Sequence, residues 1–335
     1  MTESMTYTEL VEDLANITES IDSSDKGEKA LHVLYAIIGC LGVLGNGLVI
    51  FVFMSDIRQF KSITNMLILN QSFIDFCDSV VFLILRLSPT VHNLPQNFWG
   101  QLLCRIWFSE YIMWALCVTS TVNLVLVSLE RYIAVCHPVK HRNIFTLKRA
   151  RIGIGCAWIW GFTYQSYWAI VHRNSLGECQ AYWPSGMLQL LLGLVIFILE
   201  YLLPLSIMTF AYVSIILMLR KRTKSKSKMS CFQQAKKNVT ITLILVFFSY
   251  VICWTPTELT YLQYNLGGSY NFDGALHKTV TILVLCNMCV NPFIYTFKYE
   301  QFKTQLRKVF CGCIFKSQMT SMTNVDMTEM PDSRT

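Results

Sequence analysis

The sequence predicts an all-α integral membrane protein: a bundle of seven transmembrane helices, followed by a short amphipathic helix. Three observations carry this. Seven apolar stretches, at 31–54, 64–88, 102–129, 152–171, 187–219, 239–263 and 275–297, run along the chain. Each supplies the roughly 20 apolar residues needed to cross a hydrocarbon core about 30 Å thick. Composition agrees, with 53% hydrophobic and only 15% charged residues among 335, too little charge for a soluble surface of that size. The runs are continuous and lack the period-two alternation of a barrel strand, so each must satisfy its backbone internally as a helix.

Basic residues orient the bundle. Arg58 and Lys61 follow the first span, and Arg131, Lys140, Arg142, Lys148, Arg149 and Arg151 lie between the third and fourth. Arg220, Lys221, Arg222, Lys224, Lys226, Lys228, Lys236 and Lys237 lie between the fifth and sixth, and Lys298, Lys303, Arg307, Lys308, Lys316 and Arg334 follow the seventh. Most of the 28 Lys and Arg thus fall on one side, which makes that side cytosolic and the N-terminus extracellular. The formal net charge of +7 is an inner-face property, suited to anionic lipid and a cytosolic partner rather than to nucleic acid.

The chain then divides into an acidic extracellular segment 1–29, a seven-span bundle 30–298, an amphipathic juxtamembrane helix 299–313 and a disordered cytosolic tail 314–335. The first segment carries Glu3, Glu9, Glu12, Asp13, Glu19, Asp22, Asp25 and Glu28 against Lys26 and Lys29. No apolar run precedes the first span, which is expected to act as an uncleaved anchor. Asn16-Ile17-Thr18 is the sequon on the outer side and the expected glycosylation site; Asn70 and Asn238 fall in or under the membrane. Most of the 13 Cys lie inside spans. Cys104 and Cys179 alone sit on the oxidising side, and they are expected to pair. Cys311 and Cys313, beside basic residues past the last span, are candidates for palmitoylation. Phe302, Leu306, Val309 and Phe310 recur near helical spacing with Lys303, Arg307 and Lys308 between them, the pattern of a helix lying on the inner leaflet. Thr320, Ser321, Thr323, Thr328 and Ser333 are candidate phosphorylation sites.

One set of residues occurs in order on the seven spans: Gly45-Asn46; Leu69-Asn70 and Asp75; Cys104 and Glu130-Arg131-Tyr132; Trp158; Pro204 and Tyr212; Cys253-Trp254-Thr255-Pro256; Asn287 and Asn291-Pro292-Phe293-Ile294-Tyr295. On this set the chain resembles the rhodopsin-like (class A) G-protein-coupled receptors over residues 31–310, with the neuropeptide-receptor type as a candidate within them. The resemblance implies a plasma-membrane, multi-pass receptor that binds an extracellular ligand and activates a heterotrimeric G protein, with arrestin and a receptor kinase as further partners.

The resemblance also implies roles. Arg131, beside Glu130 and Tyr132, meets the G protein once freed, and Tyr212 and Tyr295 are the polar tips expected to receive it. Trp254, two residues before Pro256, is placed where a ligand can bias the kink, and Pro292 permits a second bend after Asn291. Asp75 is an acid in mid-span, costing about 2.5–3.5 kcal/mol on insertion scales. With Ser120, Asn46, Asn287 and Asn291 it resembles the sodium site of the family, and a neutral, hydrogen-bonded Asp75 is the alternative. Many relatives pin the arginine from an acid at the base of the sixth span. Counting back twenty residues from Pro256 reaches Lys236 here, so basal signalling is expected to be appreciable.

The ligand is less legible. Counting back eighteen residues from Arg131 reaches Met113, whereas counting on seven from Cys104 reaches Tyr111. The counts disagree because these two motifs stand two residues further apart than is usual in the family. Neither position is an acid, against a standard amine receptor, although Glu110 is adjacent. Glu200 lies four residues before Pro204, and Glu258 one turn beyond Trp254 on the same helical face. Facing inward, the two would make an anionic cavity for an Arg or Lys of a peptide, or for an amine. Pairing within the protein, with His277, Lys278 or Arg86, is the other reading. Trp107, Tyr111, Trp114, Tyr167, Trp168, Tyr261 and Tyr264 supply an aromatic mouth or an interfacial belt. The preferred ligand is a peptide with a basic residue; a small amine is the alternative. A transporter or channel is the rival class, and the halves show no repeat that would favour it. A light sensor lacks a mid-span lysine in the seventh helix. No enzyme signature appears: no nucleophile–base pair, and no metal-ligand spacing.

Overall fold

The computed structural model describes residues 7–56, 62–88, 93–224, 231–268, 274–300 and 302–309, with the side chains of 7–26 and 222–237 outside the description. The Asn16 amide, Cys311, Cys313, the Lys236 amine and the tail hydroxyls therefore lie outside the described residues.

The seven spans are helical and form one bundle. α1 (Tyr7–Met54) is 48 residues long, about 72 Å at 1.5 Å per residue. It carries the acidic segment as a helix well past the expected boundary at residue 30. α2 (Ile63–Leu87) begins where the Ser62 hydroxyl accepts from the Asn65 N–H at 3.4 Å, satisfying an N–H left orphaned at the helix end. The third span comprises α3 (Phe98–Leu103), a π-helical turn (Cys104–Phe108) and α4 (Tyr111–Cys136). A short α5 (Pro138–Ile144), with Pro at its start, leads to α6 (Leu147–Val171), capped by Thr146. The fifth span is α7 (Gly186–Ile196), a second π segment (Phe197–Leu202) and α8 (Leu203–Lys224). α9 (Cys231–Asn265) and α10 (Ala275–Lys298) complete the bundle, with Pro256 and Pro292 inside them.

Among the described residues, six spans are long and apolar enough to cross a bilayer by composition. The fourth, α6, is diluted by Trp158, Trp160, Tyr164, Tyr167 and Trp168. It packs on α4 through Gly161, where an added Cβ would lie 2.8 Å from the Ala115 carbonyl oxygen. α4 is the axis of the bundle, packed against α2, α6, α8 and α9, and α1 closes the circle between α2 and α10. The third span is the most buried of the six and the fifth the least. Large apolar residues on outer faces, such as Leu44, Phe51, Phe210 and Leu217, are exposed in the protein alone and so face lipid.

The connector after α6 is a hairpin, β1 (His172–Ser175) against β2 (Glu178–Ala181), antiparallel with Asn174 opposite Cys179. Its two-residue turn, Leu176-Gly177, has positive φ at both positions (54° and 90°), as the twist of a tight hairpin requires. Cys104 and Cys179 form a disulfide with 5.3 Å between Cα atoms, bolting the hairpin to the third span. Residues 302–309 form a last helix, α11. Phe302 is buried against Phe53, and the Gln305 amide donates to Asp56 at 3.2 Å, docking α11 on the end of α1.

The break in the third span accounts for the disagreement over register. The π turn and Glu110, in the left-handed region at φ 59°, absorb the extra residues between Cys104 and Arg131. Only the count from Arg131 stays within one uninterrupted helix, so Met113, not Tyr111, holds the register. The fifth span has the second π turn for a different reason. Pro204 has no N–H for the Glu200 carbonyl. The chain widens instead, and the Leu203 N–H reaches back to the Ile198 carbonyl. Glu200 is carried on this bulge.

Candidate functional site

At the Arg131 end, Glu130 collects its neighbours. Its carboxylate is almost fully buried and pairs in bidentate fashion with the Arg131 guanidinium, which also donates to Thr64 Oγ1. Thr64 donates to Glu130 Oε2 at 3.3 Å, and His141 Nε2 lies 2.8 Å from Oε1. The sequence reading gave Glu130 as the holder of Arg131; it missed Thr64 and His141, which come from α2 and α5. Tyr132 meets His137 edge-on and packs against Phe210 of α8. Tyr212 is buried with its hydroxyl accepting from Ser128 at 3.1 Å, one turn from Arg131. Tyr295 is buried beside Tyr299, whose hydroxyl donates to Asn65 Oδ1. Neither Tyr212 nor Tyr295 is bonded to Arg131 in this arrangement.

A polar layer lies in the middle of the bundle. Asp75 Oδ1 accepts from Gln71 Nε2 at 3.0 Å and from Ser120 Oγ at 3.1 Å, and Oδ2 accepts from Asn291 Nδ2 at 2.8 Å. Asn46 Nδ2 donates to the Gly42 and Met288 carbonyls at 2.9 and 2.7 Å, so it ties α1 to α10 without touching Asp75. Asn287 is buried in the same stretch. Asn70 accepts from Trp158 Nε1 at 3.1 Å and donates to Asn123 at 2.9 Å, joining α2, α4 and α6. Gly45 lets α1 approach the second kink: an added Cβ would lie 3.0 Å from Pro292. Two members were missed from the sequence. Gln71 bridges Asp75 and Ser120, and Asp78, one turn beyond Asp75, is buried with Oδ2 on Cys117 Sγ at 3.4 Å. A second acid at i+3 in an apolar span was the signal available for Asp78.

As a test of the expected sodium site, the oxygens Asp75 Oδ1, Ser120 Oγ, Asn46 Oδ1 and Asn291 Oδ1 are the hard donors such an ion prefers. Asn46 Oδ1 and Asn291 Oδ1 are buried without a donor. Asp75 Oδ1 and Ser120 Oγ, however, already accept from the Gln71 amide. These two central oxygens do not fit an ion while Gln71 holds them.

Toward the disulfide end, Glu200 and Glu258 are both buried, and neither is ion-paired or hydrogen-bonded with a described residue. They are close enough for the charge of one to act on the other. Around them stand Tyr164, Tyr167, Tyr201, Tyr250 and Tyr261, each within electrostatic reach of the pair. Among these, Tyr261 bonds to Tyr167 and Asn265 and Tyr250 to Thr121, whereas the Tyr164 hydroxyl and Trp254 Nε1 are buried with no partner among the described residues. Tyr201 bonds to Thr255 beside Pro256, and Thr257 Oγ1 donates to the Val280 carbonyl at 3.0 Å, linking α9 to α10.

Of the three cations considered as internal partners, Arg86 is taken by Glu110 at 2.7 Å and packs over Tyr35 and Phe82. Lys278 is exposed, and His277 is half-buried at the start of α10. The candidates on the third span separate. Glu110 forms that ion pair at the break, Tyr111 donates to the Phe162 carbonyl at 2.8 Å toward α6, and Met113 is buried in the core. Trp168 donates to the Ser109 carbonyl at 2.8 Å and meets His172 and Tyr261 edge-on. Burial pushes the His172 imidazole below its ordinary pKa, opposed by its bond to the Trp168 carbonyl and by Glu110.

Seven helices crossed by a mid-bundle polar layer, with Glu130 and Arg131 paired at one end and two buried acids toward the other, have the architecture of a seven-span membrane receptor. Residues 45–295 match the model of the 7 transmembrane receptor (rhodopsin family), and the chain belongs to that family. It is 29% identical over 277 residues to galanin receptor type 1 of Rattus norvegicus, covering 80% of this chain and 78% of the relative. It is 27% identical over 286 residues to galanin receptor 2a of Danio rerio (84% and 77%). It is also 27% identical over 282 residues to the allatostatin-A receptor of Bombyx mori (80% and 76%).

Proposed function

We propose that this receptor sits in the plasma membrane with the disulfide end outside, binds an extracellular peptide through a basic residue, and activates a heterotrimeric G protein at the Arg131 end. Arrestin and a receptor kinase are the further partners this reading carries from the family. The observation that supports the ligand chemistry is the pair Glu200 and Glu258, buried among tyrosines with no ion-paired cation among the described residues. A buried acid without a partner is costly, and a guanidinium or ammonium of the ligand supplies that partner together with cation–π contacts. Relatives named for galanin and allatostatin A favour a peptide. Met113 in the uninterrupted register of α4 is not an acid, which argues against an amine held there.

A ligand acts here by preferring the open arrangement. Pressure on Trp254 moves α9 about Pro256, and opening at the other end frees Arg131 from Glu130 and Thr64. The test is a screen of peptide and amine libraries against G-protein dissociation in expressing cells, with Glu200→Gln and Glu258→Gln run on any hit. Unchanged potency of a basic agonist in both variants defeats the cavity assignment. Arg131→Ala is expected to abolish coupling at intact surface expression; retained coupling defeats the role given to that end.

A further inference from the structure

We infer that the Gln71 carboxamide is a built-in occupant of the Asp75–Ser120 cleft, standing where a sodium ion would bind, so that this receptor's core is indifferent to sodium. Gln71 is almost fully buried, one turn before Asp75 on α2. Its Nε2 donates to Asp75 Oδ1 at 3.0 Å and to Ser120 Oγ, so both protons of the amide are used. A carboxamide has two donor protons on nitrogen and an acceptor oxygen. The oxygen is used as well: Gln71 Oε1 accepts from Asn123 Nδ2 at 2.8 Å, and that same nitrogen donates to the Leu67 carbonyl at 3.1 Å.

This last contact fixes which way the amide points. Turned over, Gln71 would set its oxygen against the Asp75 carboxylate and its NH2 against the Asn123 NH2, two repulsive contacts in a dry core. The network therefore determines the orientation. Ser120 meanwhile donates its own proton to Asp75 Oδ1 at 3.1 Å, leaving its lone pairs to Gln71. A cation must draw on the same lone pairs of Asp75 Oδ1 and Ser120 Oγ. N–H protons and a cation are both positive and cannot share that position. The second carboxylate oxygen is engaged by Asn291 at 2.8 Å. A tethered amide is present at all times, needs no ion gradient, and joins α2 to α4 whatever the salt. Asn46 Oδ1 and Asn291 Oδ1, which lack donors, are the oxygens that complete a cation site once no amide at position 71 donates to Asp75 Oδ1 and Ser120 Oγ.

The experiment needs no ligand. Purified receptor is melted in sodium chloride and in choline chloride at equal ionic strength, as wild type, Gln71→Leu and Gln71→Leu/Asp75→Asn. Wild type is expected to melt at the same temperature in both salts. Gln71→Leu is expected to melt higher in sodium, by roughly 2–4 °C, and the double variant to lose that difference. Sodium-specific stabilisation of the wild type overturns the inference, and so does a Gln71→Leu receptor that ignores sodium. Should Gln71→Leu fail to fold, sodium-23 NMR line broadening on the wild type decides: broadening that Asp75→Asn removes overturns the inference, and its absence supports it.

Discussion

The two halves of the bundle treat their buried polar groups in opposite ways. At the Arg131 end and through the middle, charged side chains are paired by their neighbours: Arg131 by Glu130 and Thr64, Asp75 by Gln71, Ser120 and Asn291. Toward the disulfide end, Glu200 and Glu258 have no such partners among the described residues, and the Tyr164 hydroxyl and the Trp254 N–H near them are unmatched. An unsatisfied buried polar group costs about 1–3 kcal/mol, so a concentration of them marks where a partner from outside is received. Among the described residues, the Arg131 end and the middle leave only neutral or single oxygens without a donor, such as Asn46 Oδ1, Asn291 Oδ1 and Asp78 Oδ1; the other end leaves two whole carboxylates, which on the proposed reading makes it the receiving half.

The largest effect that tests this contrast is expected from Glu130→Ala. It leaves Arg131 buried beside Thr64 without its counter-charge, at a cost of about 3–5 kcal/mol. Melting temperature should fall sharply, and ligand-independent G-protein activation should rise per receptor at the cell surface. A variant as stable and as quiet as wild type would remove the lock from the account.

Next comes the Cys104–Cys179 bond, which holds the hairpin over the half that lacks internal partners. Cys104→Ser/Cys179→Ser is expected to lose about 2–4 kcal/mol of stability. Response to an agonist found in the screen should fall more than basal activity does, since the lock at the Arg131 end stays in place. Equal loss of both would show that the halves are not separable.

The contrast then predicts a change of sign. Glu258→Gln keeps the shape of the side chain and removes a buried acid that Glu200 opposes. The unliganded receptor should become more stable, by about 1–2 kcal/mol, read as a raised melting temperature, while a basic agonist loses potency. Asp75→Ala removes the acceptor of three hydrogen bonds and should shift stability downward. A shared sign in the two variants contradicts the division.

Much of this was legible in the sequence because bilayer physics writes in one dimension. Apolar length gave the spans, and the motifs identified Arg131, Asp75, Trp254 and Pro292 on them. What escaped depended on contacts across helices. Gln71 reads as one polar residue in an apolar run, and only the approach of α4 shows that it bridges Asp75 and Ser120. His141 belongs to a connector whose helical turn brings it to Glu130. The two π turns widen helices whose apolar pattern continues unbroken, so the ambiguity between Met113 and Tyr111 could be noticed by counting and resolved only by the left-handed Glu110. The acidic stretch before residue 30 does place Leu10, Leu14, Ile17 and Ile21 at helical spacing, a signal that its eight acids mask when the segment is read by charge alone.

Glu110 supplies the smallest effect and the finest test. Like Glu200 and Glu258 it is an acid on an outer half of the bundle, yet it is paired with Arg86 at 2.7 Å and both side chains keep some solvent access. Such a pair contributes at most about 1 kcal/mol, so Glu110→Gln should leave the melting temperature nearly unchanged. Being already partnered, Glu110 has no unmet demand for the ligand's cation, and the potency of a basic agonist should change far less than in Glu200→Gln. A loss of potency as large as that of Glu200→Gln would mean that a paired carboxylate can serve the ligand as well as an unpaired one. Missing partners would then no longer tell the receiving half from the transmitting half.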